Sequence, residues 1–161
     1  MSHEAPAAAK SATHEPRIPA SVRLPEITPK AIGLGIVLAM ALAGANAYLG
    51  LFAGMTVSAS IPAAVISMAL LRLFRNHNIL ENIVVQTAAS AGESLAAGVI
   101  FTIPALVILG AWTRFGYWET TAIAALGGVI GVLFTIPLRR ALIVDRPLQF
   151  PEGVATAEVL T

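Results

Sequence analysis

The sequence contains no cysteine and few charged residues. Without cysteine it has no disulfide, no thiolate nucleophile and no cysteine metal ligand. Charged residues make up 12% of the 161 residues, whereas an average soluble domain is about a quarter charged. The net charge of +1 gives no indication of nucleic-acid binding. Because 57% of the residues are hydrophobic and the mean hydropathy is +0.79, the composition predicts an integral membrane protein.

Motifs for catalysis are also missing. No serine has a Gly-x-Ser-x-Gly context, and no glycine-rich phosphate loop is present. The histidines, His3, His14 and His77, lie outside the apolar runs, so a histidine metal site has little support. The sequence therefore predicts neither an enzyme nor a cofactor or metal site.

The apolar runs predict an all-α membrane protein with at least four transmembrane helices. Residues 31–71 carry no charge and are about twice as long as one bilayer core requires. Serine, threonine and a proline within 56–62 divide this run in two. The predicted spans are about 31–55, 61–74, 95–112 and 120–138. Residues 1–30, which mix proline, alanine and both signs of charge, predict a disordered tail.

The positive charges predict the orientation of these spans. With four spans, every lysine and arginine except Arg114 lies on the same side of the membrane as the tail. Basic residues accumulate on the cytoplasmic side of membrane proteins. We therefore expect a multi-pass protein of the cell membrane with a cytoplasmic amino terminus.

A polar segment, residues 79–94, precedes the third span. If it is helical, Asn82, Gln86, Ser90 and Glu93 lie on one stripe less than about a quarter turn wide. An interfacial helix could place this stripe in water, but such helices usually carry basic residues there. One helix over 79–112 would be about 51 Å long, which exceeds the bilayer. We therefore expect a break within Ser90–Ser94 and a polar half-helix or re-entrant segment that lines a substrate or proton pathway.

The first span contains further candidates for contacts. Glycine and alanine recur at four-residue spacing, as in "GLFAG" at 50–54, which predicts close packing against another helix. Asn46 places an amide near the middle of the span. Such an amide needs a partner, either another helix or a substrate.

Two strings resemble a known family. "NIVVQTAASAGESLAAGVIFTIPALVILG" at 82–110 and "LQFPEGVATAEVL" at 148–160 resemble linked stretches of the oligopeptide transporter family, which includes the yellow stripe-like metal-chelate transporters. The resemblance runs from about Ala31 to the last residue. It implies a secondary transporter that moves small peptides or peptide-like metal chelates with protons. Since family members are several times longer, it also implies that residues 31–161 are the amino-terminal part of a larger helical bundle.

The resemblance implies roles for several residues. The stripe would contact substrate or protons, and Glu93 would either hold a substrate ammonium or carry the coupled proton. From its amide alone, we also place Asn46 among the candidate pathway residues. Glu152, beside Pro151, is interpreted as a charge at the start of a further helix, 151–161. The expected partners are the substrate, protons, the lipid bilayer and the remaining helices, and a homo-oligomer stays open. The alternative is a small oligomeric four-helix membrane subunit with a structural or accessory role.

Overall fold

The computed structural model describes residues 18–19, 21–74, 76–145, 148 and 150–160. Over these residues it is helical, with no strand, which confirms the predicted all-α class. Most of the predicted tail lies outside the described residues. The helices are α1 (Pro29–Ala53), α2 (Ser60–Leu71), α3 (Ile79–Ile108), α4 (Tyr117–Arg139) with a π-helical continuation (Arg140–Asp145), and α5 (Pro151–Leu160).

Within the described residues, three helices are long and apolar enough to cross a membrane: α1, α3, and α4 with its continuation. The second predicted span, 61–74, corresponds to α2, which has only 12 residues. At 1.5 Å per residue α2 is about 18 Å long, which is shorter than a bilayer core of about 30 Å. This helix therefore cannot span the membrane alone.

The amino-terminal ends of α1 and α3 are joined by one buried carboxylate. Thr28 caps α1 through a hydrogen bond from the Ala31 amide, and Asn78 forms a capping box with Glu81 at the start of α3. Glu81 accepts a hydrogen bond from the Thr28 hydroxyl at 2.6 Å and pairs with Lys30 at 3.0 Å. Because both helix starts meet here, α1 and α3 run parallel from a common end.

Small residues allow α1 and α3 to approach closely. A Cβ placed on Gly92 would lie 2.9 Å from the Cβ of Ala39 and 3.3 Å from its Cα. A Cβ on Gly35 would lie 3.0 Å from the Cβ of Ala88, and a Cβ on Gly50 would lie 3.0 Å from Cγ2 of Ile100. The predicted close packing of the first span is therefore present, although Gly54 takes the left-handed conformation that ends α1 and does not pack against α3.

Between α1 and α2 the chain folds back along α1. Asn46 donates a hydrogen bond to the Val57 carbonyl at 2.9 Å and accepts one from the Val57 amide at 3.0 Å. Since Asn46 lies two helical turns before the end of α1, segment 54–59 returns by about 12 Å before α2 begins. Helix α2 starts beside Ser90 and then runs antiparallel to α3, with Ser67 close to Asn82.

The expected break within Ser90–Ser94 is not present. Helix α3 is continuous, and its 30 residues measure about 45 Å, comparable to a bilayer with its headgroups. The Ser94 hydroxyl donates to the Ser90 carbonyl one turn earlier, and Gly92 serves the contact with Ala39. Polar residues here are thus accommodated inside the helix, and the irregular backbone lies at 54–59 instead.

Helix α4 presents apolar side chains over most of its surface. None of its residues is buried, and Leu126, Val129 and Leu133 are each at least half exposed. It touches α3 where Gly128 meets Leu95. Apolar surface of this extent requires lipid or further helices.

Candidate functional site

A cleft of about 1250 Å³ lies between α3, segment 56–60 and the start of α5. Isoleucine side chains and Phe150 supply its apolar walls. Its polar lining comes from three separate parts of the chain. The polar residues are Thr56, Ser58, Ser60, Gln86, Ser90, Glu93, Ser94, Glu152 and Thr156.

Glu93 lines the cleft from about halfway along α3. It is fourteen residues from the start of α3, or about 21 Å along a helix of about 45 Å. Its side chain is 7% exposed, and Oε1 accepts a hydrogen bond from Asn46 Nδ2 at 2.6 Å. Oε2 accepts no hydrogen bond from the described residues, while Glu93 lines the cleft. One carboxylate oxygen is therefore held by protein and the other is open to an occupant.

Asn46 connects Glu93 to the returning segment. Its Nδ2 donates to both Glu93 and the Val57 carbonyl, so both amide hydrogens are used. Its Oδ1 accepts from the Val57 amide. Since an asparagine amide has two donor hydrogens, Asn46 has none left for a substrate in this arrangement.

A row of serine hydroxyls runs along the cleft. Ser90 Oγ and Ser60 Oγ are 3.2 Å apart, and Ser60 Oγ is 3.4 Å from Ser58 Oγ. Ser58 in turn donates to Oε1 of Glu152 in the first turn of α5. The row joins α3, the returning segment and α5 through side chains that can both donate and accept hydrogen bonds.

The structure separates the residues of the predicted stripe. Gln86, Ser90 and Glu93 line the cleft together. Asn82 does not; it is buried against α2, where its Oδ1 lies 3.4 Å from the Ser67 hydroxyl. Asn46 lies behind Glu93 and supports it.

Sequence reasoning did not assign Ser58, Ser60 or Glu152 to the site. The serines belong to the polar cluster interpreted as a break between spans, and Glu152 belongs to the "FPEG" string, interpreted as a helix start. Glu152 does lie in the first turn of α5, but it also lines the cleft. The polar cluster and the "FPEG" string are both visible in the sequence, but only the fold-back of segment 54–59 shows that these two parts of the chain meet.

Comparison with known proteins identifies the family. The family model for the OPT oligopeptide transporter protein matches residues 26–161. The chain belongs to the oligopeptide transporter family. The members of this family are in general transporters.

Several curated relatives share this part of the family. A Haemophilus influenzae protein named as an oligopeptide transporter is 56% identical over 113 residues, covering 70% of this chain and 18% of the relative. A Saccharomyces cerevisiae protein named in the same way is 28% identical, covering 86% of this chain and 22% of its own length. The metal-nicotianamine transporter YSL3 of Arabidopsis thaliana is 29% identical, and the match covers 79% of this chain and 22% of the relative. No solved structure matches.

The chain spans about a fifth of the length of these relatives. Among the residues that the structure describes, no group of three or more histidine or acidic side chains could hold a metal ion. Hydroxyl groups, an amide and two carboxylates are the polar side-chain groups that line the cleft.

Proposed function

We propose that the chain is part of a secondary active transporter that moves small peptides or peptide-like metal chelates across the cell membrane, coupled to protons. The observation that carries the proposal is a buried carboxylate, Glu93, at mid-length of a membrane-length helix beside a polar cleft. An ionisable group at such a position is costly and is a feature of substrate and ion pathways. The names of the relatives support both substrate classes.

The cleft residues have complementary roles in this proposal. Gln86 and Ser90 donate and accept hydrogen bonds with the peptide backbone of the substrate. Glu93 takes up the coupled proton on the oxygen that does not accept from Asn46. Asn46 positions Glu93 and the returning segment.

The geometry also supports the proposed orientation, with the amino terminus in the cytoplasm. Helices α1 and α3 start at the same end, α2 brings the chain back towards it, and α4 returns after the short connection 109–116. Among the described residues, Arg114 lies at the opposite end. The other described basic residues, Arg23, Lys30, Arg72, Arg139 and Arg140, lie near the common end, as expected for a cytoplasmic face.

Uptake by proteoliposomes containing the full-length protein tests the function. Wild-type protein should accumulate a small peptide or a metal chelate when an inward proton gradient is applied. Glu93→Gln, which keeps the shape but cannot titrate, should lower gradient-driven uptake by about tenfold or more, equivalent to about 1.4 kcal/mol or more. The matched control is Glu119→Gln, in the first turn of α4 and outside the cleft, which should retain uptake. Unchanged uptake by Glu93→Gln would contradict the proposed role of Glu93.

A further inference from the structure

The mouth of the cleft carries a second carboxylate, that of Glu152. In contrast to Glu93, Glu152 is exposed and lies in the first turn of α5. Its Oε1 accepts from Ser58, which fixes the carboxylate towards the cleft that both residues line. Glu152 is thus held in place while remaining accessible to a molecule that enters.

The serine row connects the two carboxylates. Ser58 is linked through Ser60 to Ser90, and Ser90 lies one helical turn before Glu93 on the same helix. Each hydroxyl has one hydrogen but two acceptor lone pairs. The row therefore offers a series of acceptor oxygens between a buried carboxylate and an exposed one.

The charge of the cleft favours a positively charged occupant. No lysine, arginine or histidine is found among the described residues that line it. Glu93 adds a second carboxylate to the lining; its side chain is more than nine-tenths buried, and Asn46 donates to its Oε1.

An organic ammonium group fits this arrangement better than a bare metal ion. The described residues hold no cluster of three or more metal-ligating side chains. An ammonium carries three donors and no acceptor, which matches a lining of carboxylate and hydroxyl oxygens. Glu152 also offsets the positive end of the α5 dipole, so this helix start does not attract the carboxylate end of a substrate.

We propose that Glu152 and the serine row Ser58, Ser60 and Ser90 form a subsite that binds the ammonium group of the transported substrate. This inference rests on the proposed function and names the charged group that the cleft recognises. In this proposal the two carboxylates have different roles. Glu152 holds the positive charge of the substrate, and Glu93 is left to the proton.

Binding to the detergent-solubilised full-length protein tests the subsite. The probes are trialanine and N-acetyl-trialanine, which differ in the charge of the amino terminus. Wild-type protein should bind trialanine about tenfold or more tightly, because acetylation removes a charged partner of Glu152. In Glu152→Gln the ratio of the two affinities should fall close to one, and Glu152→Asp should restore part of it. Uptake of trialanine is measured in parallel.

The outcomes separate the subsite from the transport function. Equal affinities in the wild type, no binding of either probe, or a ratio retained in Glu152→Gln would each overturn the subsite. If Glu152→Gln fails to fold, Ser58→Ala, which removes the hydroxyl that orients the carboxylate, should lower the ratio instead; an unchanged ratio there would also overturn it. Selective binding without uptake would support the subsite and contradict the proposed transport. Uptake of trialanine without selective binding would support the proposed transport and contradict the subsite.

Discussion

Replacing Gly92 by alanine tests the contact on which the cleft depends. The new methyl group would lie 2.9 Å from the Ala39 Cβ and 3.3 Å from the Ala39 backbone, so α1 and α3 must move apart. Overpacking of this kind costs about 1–3 kcal/mol. Glu93 is the next residue after Gly92, so the movement would also lengthen the hydrogen bond of 2.6 Å between Asn46 and Glu93. We therefore expect losses of both stability and transport.

Gly98→Ala is the matched control for this prediction. It lies on the same helix, and a Cβ there meets nothing within 4 Å. Both substitutions gain about 1 kcal/mol of helix propensity, so their difference isolates the clash. Denaturant unfolding in detergent should show Gly92→Ala to be less stable than Gly98→Ala by about 1–3 kcal/mol. Adding Ala39→Gly should recover part of the loss. Equal stability of the two variants would refute the proposed packing.

Two further substitutions test the buried polar contacts. Asn46→Ala leaves the Val57 backbone and Glu93 Oε1 without their partner, which should cost about 1–3 kcal/mol per unsatisfied group; unfolding that matches the wild type would contradict this role. Glu81→Gln removes the charge paired with Lys30 and should lower stability by at least about 1 kcal/mol, measured by the same unfolding assay. Stability that is insensitive to this change would show that the common end of α1 and α3 is held in another way.

Much of the helical architecture could be predicted from the sequence. Charge-free runs located α1, α4 and the second half of α3 because length and hydropathy alone decide whether a helix suits a bilayer. The continuity of α3 could not be predicted in this way. Ser90–Ser94 is polar enough to suggest a break, but its hydroxyls bond within the helix and Gly92 serves a contact with Ala39 that is distant in sequence.

The site was predictable only where its residues share one helix. Helical periodicity placed Gln86, Ser90 and Glu93 on one face, and all three line the cleft. The same periodicity included Asn82, which packs against α2 instead. Helical periodicity could not place Glu152 in the cleft. Its position there depends on segment 54–59, which folds back along α1 and is hydrogen-bonded to Asn46.

Thiol labelling tests most directly whether one face of α3 lines a water-filled pathway. Ser90 lines the cleft and its neighbour Ala91 does not, although the two lie at nearly the same depth. This chain has no cysteine of its own, so single cysteines are introduced into a full-length background without other thiols. Ser90→Cys should react with a water-soluble maleimide and be protected by trialanine, whereas Ala91→Cys should react far more slowly. Equal reaction of the two positions, or no reaction at Ser90→Cys, would contradict the pathway.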